Sequence, residues 1–333
     1  MLPCSGIITK GHEIGLRRLK TTQTAIAVLG GSFNFRAMTP YDVIIIGAGP
    51  AGLAAGIQAR HMGLKVLLVE KCRPGGRLLS ARQVENFPLV GGIGKTTGRT
   101  IANALIRQAL RKGLKILKGD CTRIGSHQEI FNLTVDRKTL KARAVVIATG
   151  VEPKAIEHPG WKAALESPRL RYDWRDLPMQ LAGKRVFVLG GGEVAFDQAI
   201  SLAERKARVT MLVRGSRPRA FPKLVKEAEG LGVRVLSRVK VTGCSSLSQG
   251  LSVSMTQGGR KQELGFDYGL VSIGSVPQRP ELSQEAKTRS GRGLYWAGDV
   301  SSRRYRQAAI AFGDGIKKAM MAYGYLRSRR VRA

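Results

Sequence analysis

Asp42-Val-Ile-Ile-Ile-Gly47-Ala-Gly49-Pro50-Ala51-Gly52 decides how the rest of the chain is read. A β-branched run ends in G-x-G-x-x-G, and an Ala-rich run over 53–62 follows, stopped by Gly63. The pattern predicts a strand over 42–46, a tight turn, a helix, and a second strand over 65–69 that closes at Glu70. Each residue type has a physical reason. Gly47 permits the turn, Gly49 lets bare backbone approach a pyrophosphate, and Gly52 lets the helix pack close to the strand. The unpaired N–H groups of the helix start then face the phosphates. Glu70, about 20 residues on, is placed to accept ribose hydroxyls.

The unit recurs. A strand over 185–189 runs into Gly190-Gly191-Gly192-Glu193-Val194-Ala195, then a helix over 196–205 and a strand over 208–213. Counted from the first glycine, the place of Glu70 falls to Val213, and Arg214, Arg217 and Arg219 follow. An acid there would grip a free ribose 2′-OH, whereas guanidinium groups favour a 2′-phosphate through charge-assisted hydrogen bonds. The second unit therefore reads as an NADPH site contacted by Gly190, Gly191, Gly192, Glu193, Val194, Arg214 and Arg219, with NADH the alternative. Glu193 at the helix start is expected on the nicotinamide side, or as a first-turn acid opposing the helix dipole.

The 333 residues suffice for two domains, and 43% hydrophobic with 24% charged residues is ordinary for a globular chain. The net charge of +33 reads first as a solvated basic surface, next as a surface for an acidic protein partner, and last as a nucleic-acid surface. No zinc-finger spacing or RNA-recognition signature accompanies the charge. The apolar stretch over 43–59 is interrupted by four glycines and a proline, so no membrane span is expected and the location expected is cytoplasmic. Cys4, Cys72, Cys121 and Cys244 form no C-x-x-C, so neither a metal site nor a vicinal redox pair is expected, and buried reduced thiols are the default. Residues 1–37 are basic and nearly acid-free, and read as a disordered leader or a mis-assigned start.

From about 38 to 325 the chain resembles the low-molecular-weight thioredoxin reductases and their flavoprotein relatives. The resemblance is carried by Gly47–Gly52, Gly75-Gly76-Arg77, Val84-Glu-Asn86-Phe-Pro88, Ala148-Thr149-Gly150, Gly190–Ala195, Ala297-Gly298-Asp299, Arg306-Gln307-Ala308 and Gly313-Asp-Gly315. It implies an α/β chain of two Rossmann-like, three-layer β/β/α domains. An FAD domain (38–153 plus 265–326) is interrupted by an NADPH domain (154–264), and a basic tail (327–333) follows. It implies FAD contacts from Gly47, Gly49, Pro50, Ala51, Gly52, Glu70, Lys71, Gly76, Arg77, Leu78, Asn86, Ala148, Thr149, Gly150, Gly298, Asp299, Arg306, Gln307 and Ala308. It also implies a homodimer.

One element of the pattern is missing. The reductases carry C-x-x-C-D shortly before the second glycine cluster, where this chain reads Tyr172-Asp-Trp174-Arg-Asp176. Thiol–disulfide exchange needs a nucleophilic sulfur, so the reading is an NAD(P)H-dependent flavoprotein oxidoreductase that passes electrons straight to an external acceptor. An acidic ferredoxin-like protein is the first choice and a small molecule the second, since relatives lacking the pair reduce ferredoxin or small disulfides. Tyr172 and Asp176 are weak catalytic candidates where the disulfide would have faced the flavin. The alternatives are a thiol or disulfide reductase using Cys72 or Cys121, and a non-catalytic flavin-binding redox sensor.

Overall fold

The computed structural model describes residues 39–88, 96–157, 159–302 and 304–330; the expected leader lies outside them. The β-branched run forms β1 (Tyr41–Ile46). Val43 and Ile45 enter one core cluster, while Ile44 and Ile46 enter another. A strand apolar on both faces belongs in the centre of a covered parallel sheet, and β1 lies there. Helix α1 (Pro50–His61) returns the chain to β2 (Val66–Glu70), parallel to β1 with Val43 opposite Val66. Helix α1 starts at Pro50 rather than 53, because proline without an N–H is suited to a first helical position. Helix α2 (Gly98–Arg111) leads to β3 (Lys115–Lys118) beside β2. An antiparallel meander follows: β4 (Cys121–His127), β5 (Ile130–Val135) and β6 (Lys138–Ile147), the last parallel to β1. Helices cover one face of this sheet and the meander's Ile124, Phe131 and Leu133 fill the other.

Glu152–Val276 forms a second compact unit inserted into the first. Its parallel sheet is built from β7 (Arg185–Leu189), β8 (Arg208–Leu212), β9 (Arg234–Leu236) and β10 (Tyr268–Val271), in the order β9-β8-β7-β10, with Leu170–Arg171 at the edge. Helices α3 (Glu193–Ala203) and α4 (Pro222–Gly230) pack over Val186 and Val188. On the other face Phe187 meets Phe266 edge-on at 5.2 Å, part of a three-stranded antiparallel sheet over Val239–Leu247, Gly250–Gln257 and Arg260–Phe266. Each unit thus has a helix layer, a parallel sheet and an antiparallel β layer.

The boundaries move from those expected. The first falls after Val151 rather than 153, and the outer unit resumes at Pro277 rather than 265. Strand β10 decides this, since Tyr268–Val271 pairs with β7 along Val186–Leu189 and so completes the inserted sheet. The outer unit then adds β11 (Leu294–Trp296) to β6 and ends in α5 (Ala308–Arg330). The expected tail is therefore helical through Arg330, with 331–333 outside the described residues.

Helices α1 and α5 cross backbone to backbone. A Cβ added at Gly315 would lie 2.1 Å from the Ala51 carbonyl oxygen, an overlap only helix separation relieves. Gly315→Ala should therefore cost about 1–3 kcal/mol of stability, read as a lowered thermal midpoint, whereas Gly313→Ala, with nothing within 4 Å, should change it little.

Candidate dinucleotide-binding sites

At the end of β1 the chain turns through Gly47 at φ +99°, a backbone position suited to glycine. A side chain at Gly47 would meet the Ala148 carbonyl oxygen at 2.4 Å, and one at Gly52 would meet the Gly47 oxygen at 1.8 Å. Gly49 differs: a Cβ there would meet nothing within 4 Å. It is bare backbone beside open space, and it is also the N-cap of α1, with no side-chain cap and no acid in the first turn. The first helical bond runs from Leu53 N–H to Gly49 O, which leaves Ala51 and Gly52 N–H without acceptors from their own helix. A pyrophosphate fits this cradle on backbone and charge alone.

The Glu70 carboxylate braces the loop. One oxygen accepts the Ala48 N–H at 2.6 Å and the other the Cys72 N–H at 2.8 Å. Burial pushes its carboxyl up, and backbone donors at Ala48, Cys72 and Arg73 pull it down. Three backbone donors leave one of the carboxylate's four lone-pair sites, so a ribose hydroxyl can still be accepted. The Ala48 carbonyl accepts the Gly75 N–H at 2.7 Å. That bond draws the turn of Gly75, Gly76 and Arg77 over the glycine loop, and a Cβ on Gly76 would stand 3.1 Å from Gly49 Cα. Lys71 is already paired with Asp120 at 2.7 Å. Leu78, Ala51 and Ala148 send their side chains into the core, so only their backbones are available to a ligand.

The remaining outer-unit residues gather at two places. The Ala148 N–H donates to Ile46 O at 2.7 Å, the Thr149 hydroxyl donates to Gln278 O, and Gly150 accepts the Gln278 N–H at 3.1 Å. Farther on, Gly298 N–H donates to Asp314 Oδ2 at 2.8 Å. Burial pushes the Asp299 carboxyl up, while the Arg306 and Arg77 guanidinium groups pull it down, which places the three charges together. Asn86 Nδ2 donates to Gln307 Oε1 at 2.6 Å across 221 positions of sequence. Phe87 meets Phe312 edge-on at 5.9 Å, and α5 starts at Ala308. Asp314 and Ala48 are contributors that the motif reading did not name. Asp314 sits within the quoted Gly-Asp-Gly, whereas the Ala48 amide carried no side-chain signal.

In the inserted unit Gly190 turns at φ +146°, and a side chain there would meet the Ser272 oxygen at 2.2 Å. Gly192 has open space and is the uncapped N-cap of α3. Val213 is buried under Gly191, whose added Cβ would lie 2.7 Å from a Val213 methyl. Glu193, Val194, Arg214, Arg217 and Arg219 are exposed. The Arg219 N–H donates to Gly191 O at 2.7 Å, folding the arginine loop back onto the glycine turn.

The segment 172–176 is committed to the inserted unit's own packing. Tyr172 and Trp174 are half-buried and pack against the inserted unit's own two cores, with the Tyr172 hydroxyl buried. Burial also pushes the Tyr172 phenol up, against its ordinary value. Trp174 lies under the Arg205 guanidinium at 4.3 Å. Its N–H donates to the buried Gln198, whose Nε2 in turn donates to Ser272 Oγ at 2.7 Å. Gln198 went unnoticed in the sequence because a glutamine in an apolar helix carries no motif. Asp176 is exposed. The expected buried thiols are corrected at Cys72, which is exposed, and Cys4 lies outside the described residues. Cys121 and Cys244 are free and buried, their thiols pushed up to about 12 and about 11, chiefly by burial. Among the described residues no His, Cys, Asp and Glu cluster could hold a metal ion, and no helix is long and apolar enough to cross a membrane.

The profile of the family described as pyridine nucleotide-disulphide oxidoreductase matches residues 41–315. The thioredoxin reductase of Treponema pallidum is 29% identical over 303 residues, covering 86% of this chain and 98% of the relative. That of Bacillus subtilis is 29% identical over 304 residues, covering 86% and 95%. A crystal structure of T. acidophilum thioredoxin reductase aligns with a TM-score of 0.77 at 25% identity, covering 86% of this chain and 99% of that one.

At pH 8 only about one in a thousand Cys244 thiols, and fewer at Cys121, would be ionised. Iodoacetamide should therefore leave both unmodified in the folded protein and label both after denaturation, as counted by peptide mass spectrometry.

Proposed function

We propose, from the premise that the chain belongs to the pyridine nucleotide-disulphide oxidoreductase family, that it is an FAD-dependent NADPH oxidoreductase delivering electrons directly to an external acceptor. Bound FAD would take hydride from the nicotinamide and release electrons singly or in pairs. The protein's own part is binding and positioning. In the outer unit the Ala51 and Gly52 amides receive the pyrophosphate and Glu70 the ribose diol. The Asn86–Gln307 pair, the start of α5 and the Asp299, Arg306 and Arg77 cluster wall the flavin end. In the inserted unit the amides at the start of α3 receive the second pyrophosphate and Arg214 and Arg219 the 2′-phosphate. Buried Val213 offers no acid to favour NADH.

The observation that carries direct delivery is the absence of any sulfur in the segment 172–176, joined to the burial of Cys121 and Cys244, which pushes both thiols up. The acceptor favoured is an acidic ferredoxin-like protein, because a net charge of +33 steers an acidic partner and fixes its approach. A homodimer is the assembly proposed. Ile310, Met320 and Met321 leave apolar surface exposed along α5, of the kind a second copy covers.

Anaerobic mixing with NADPH should bleach the flavin of the purified protein, and a variant with all four cysteines changed to serine should bleach at the wild-type rate and still reduce ferredoxin. Bleaching without acceptor reduction in that variant would point to a thiol relay; no bleaching in the wild type would leave a flavin-binding sensor. Ferredoxin reduction should also slow as salt rises from 50 to about 500 mM, because exposed charges are screened over a shrinking Debye length.

A further inference from the structure

The arginine loop of the inserted unit has a neighbour that lies far from it in the sequence. Strand β9 is parallel to β8 with Leu212 opposite Leu236, so both strands end on the same edge of the sheet. Beyond that edge the two chains continue side by side. Val213 N–H donates to Leu236 O at 2.8 Å, Arg238 N–H to Gly215 O at 2.9 Å, and Val239 N–H to Val213 O at 3.0 Å. Arg219 N–H closes the other side of the loop on Gly191. Arg214, Arg217, Arg219 and Arg238 therefore arise from one corner, bounded by the backbones of Gly191 and Gly215.

The corner is electrostatically unbalanced. All four arginines are exposed, and none of their guanidinium groups has a hydrogen-bond or ion-pair partner among the described residues. The chain contributes no carboxylate between Glu204 and Glu227, and none between Glu229 and Glu263. Arg238 also adopts φ +57°, a left-handed conformation that costs an L residue with a long side chain and that clusters at functional positions. Four unpaired guanidinium groups beside an uncapped helix start call for a phosphate monoester, whose near-divalent charge and several acceptor oxygens can engage more than one of them.

We propose that Arg238 is a further specificity-determining residue, holding the 2′-phosphate of NADPH together with Arg214 and Arg219. This rests on the reading of the inserted unit as the NADPH site. Adenosine 2′,5′-bisphosphate, ADP and inorganic phosphate are titrated calorimetrically into the full chain, wild type and Arg238→Gly. Glycine suits the left-handed turn and so preserves the fold; Arg238→Lys is the second variant. Arg238→Gly should weaken the bisphosphate about tenfold, the loss of one charge-assisted hydrogen bond, while ADP is unchanged, and lysine should restore part of the affinity. Unchanged bisphosphate binding, or equal weakening of ADP, overturns the proposal. So does a loss confined to inorganic phosphate, which would mark a free-phosphate site. A wild type that binds neither adenine nucleotide overturns the NADPH reading itself.

Discussion

Both cradles depend on one constraint: backbone must meet backbone where a parallel strand hands over to a helix. In the outer unit the Gly47 turn leaves no room for a side chain against Ala148, nor the Gly52 position against Gly47; in the inserted unit Gly190 is held as closely against Ser272. Those contacts set the helices so that their first N–H groups point away from the turn with no acceptor in their own helix. Gly49 and Gly192, with open space where a side chain would be, leave those groups accessible. Backbone geometry of this kind favours an anion before any charged side chain contributes.

The two units then diverge by a single electrostatic choice. In the outer unit a carboxylate ends β2 and ties its own loop together through Ala48 and Cys72. In the inserted unit the equivalent position is a valine that packs beneath Gly191, and the loop is tied instead by backbone bonds from Arg219 and Arg238. Bracing by backbone frees the guanidinium groups, just as bracing by Glu70 spends the carboxylate partly on its own loop. The same fold thus carries opposite charge at the two corresponding corners, Glu70 in one and Arg214 in the other.

The segment around Trp174 is held by its own contacts. Trp174 is held from below by Gln198 and from above by Arg205, and the Asp173 carboxylate is closed onto Arg175 at 2.9 Å. The segment is a packed part of the inserted unit. Relatives aligned over nearly their whole length bear the name thioredoxin reductase, and the chain divides into two compact units, one inserted in the other.

Amino-acid order by itself determined the two strand–turn–helix units, their glycine roles and the contrast of Glu70 with Arg214, because a phosphate loop is built from consecutive residues whose periodicity and backbone freedom are local properties. The resemblance implied flavin contacts from Asn86 and Gln307, and a hydrogen bond joins the two side chains. Tertiary structure alone decided that 268–271 belongs to the inserted sheet, that Tyr172 packs inward, and that Arg238 stands beside Gly215. Strand pairing decides these, since hydrogen bonds between neighbouring strands bring together residues whose separation along the chain carries no repeating signal.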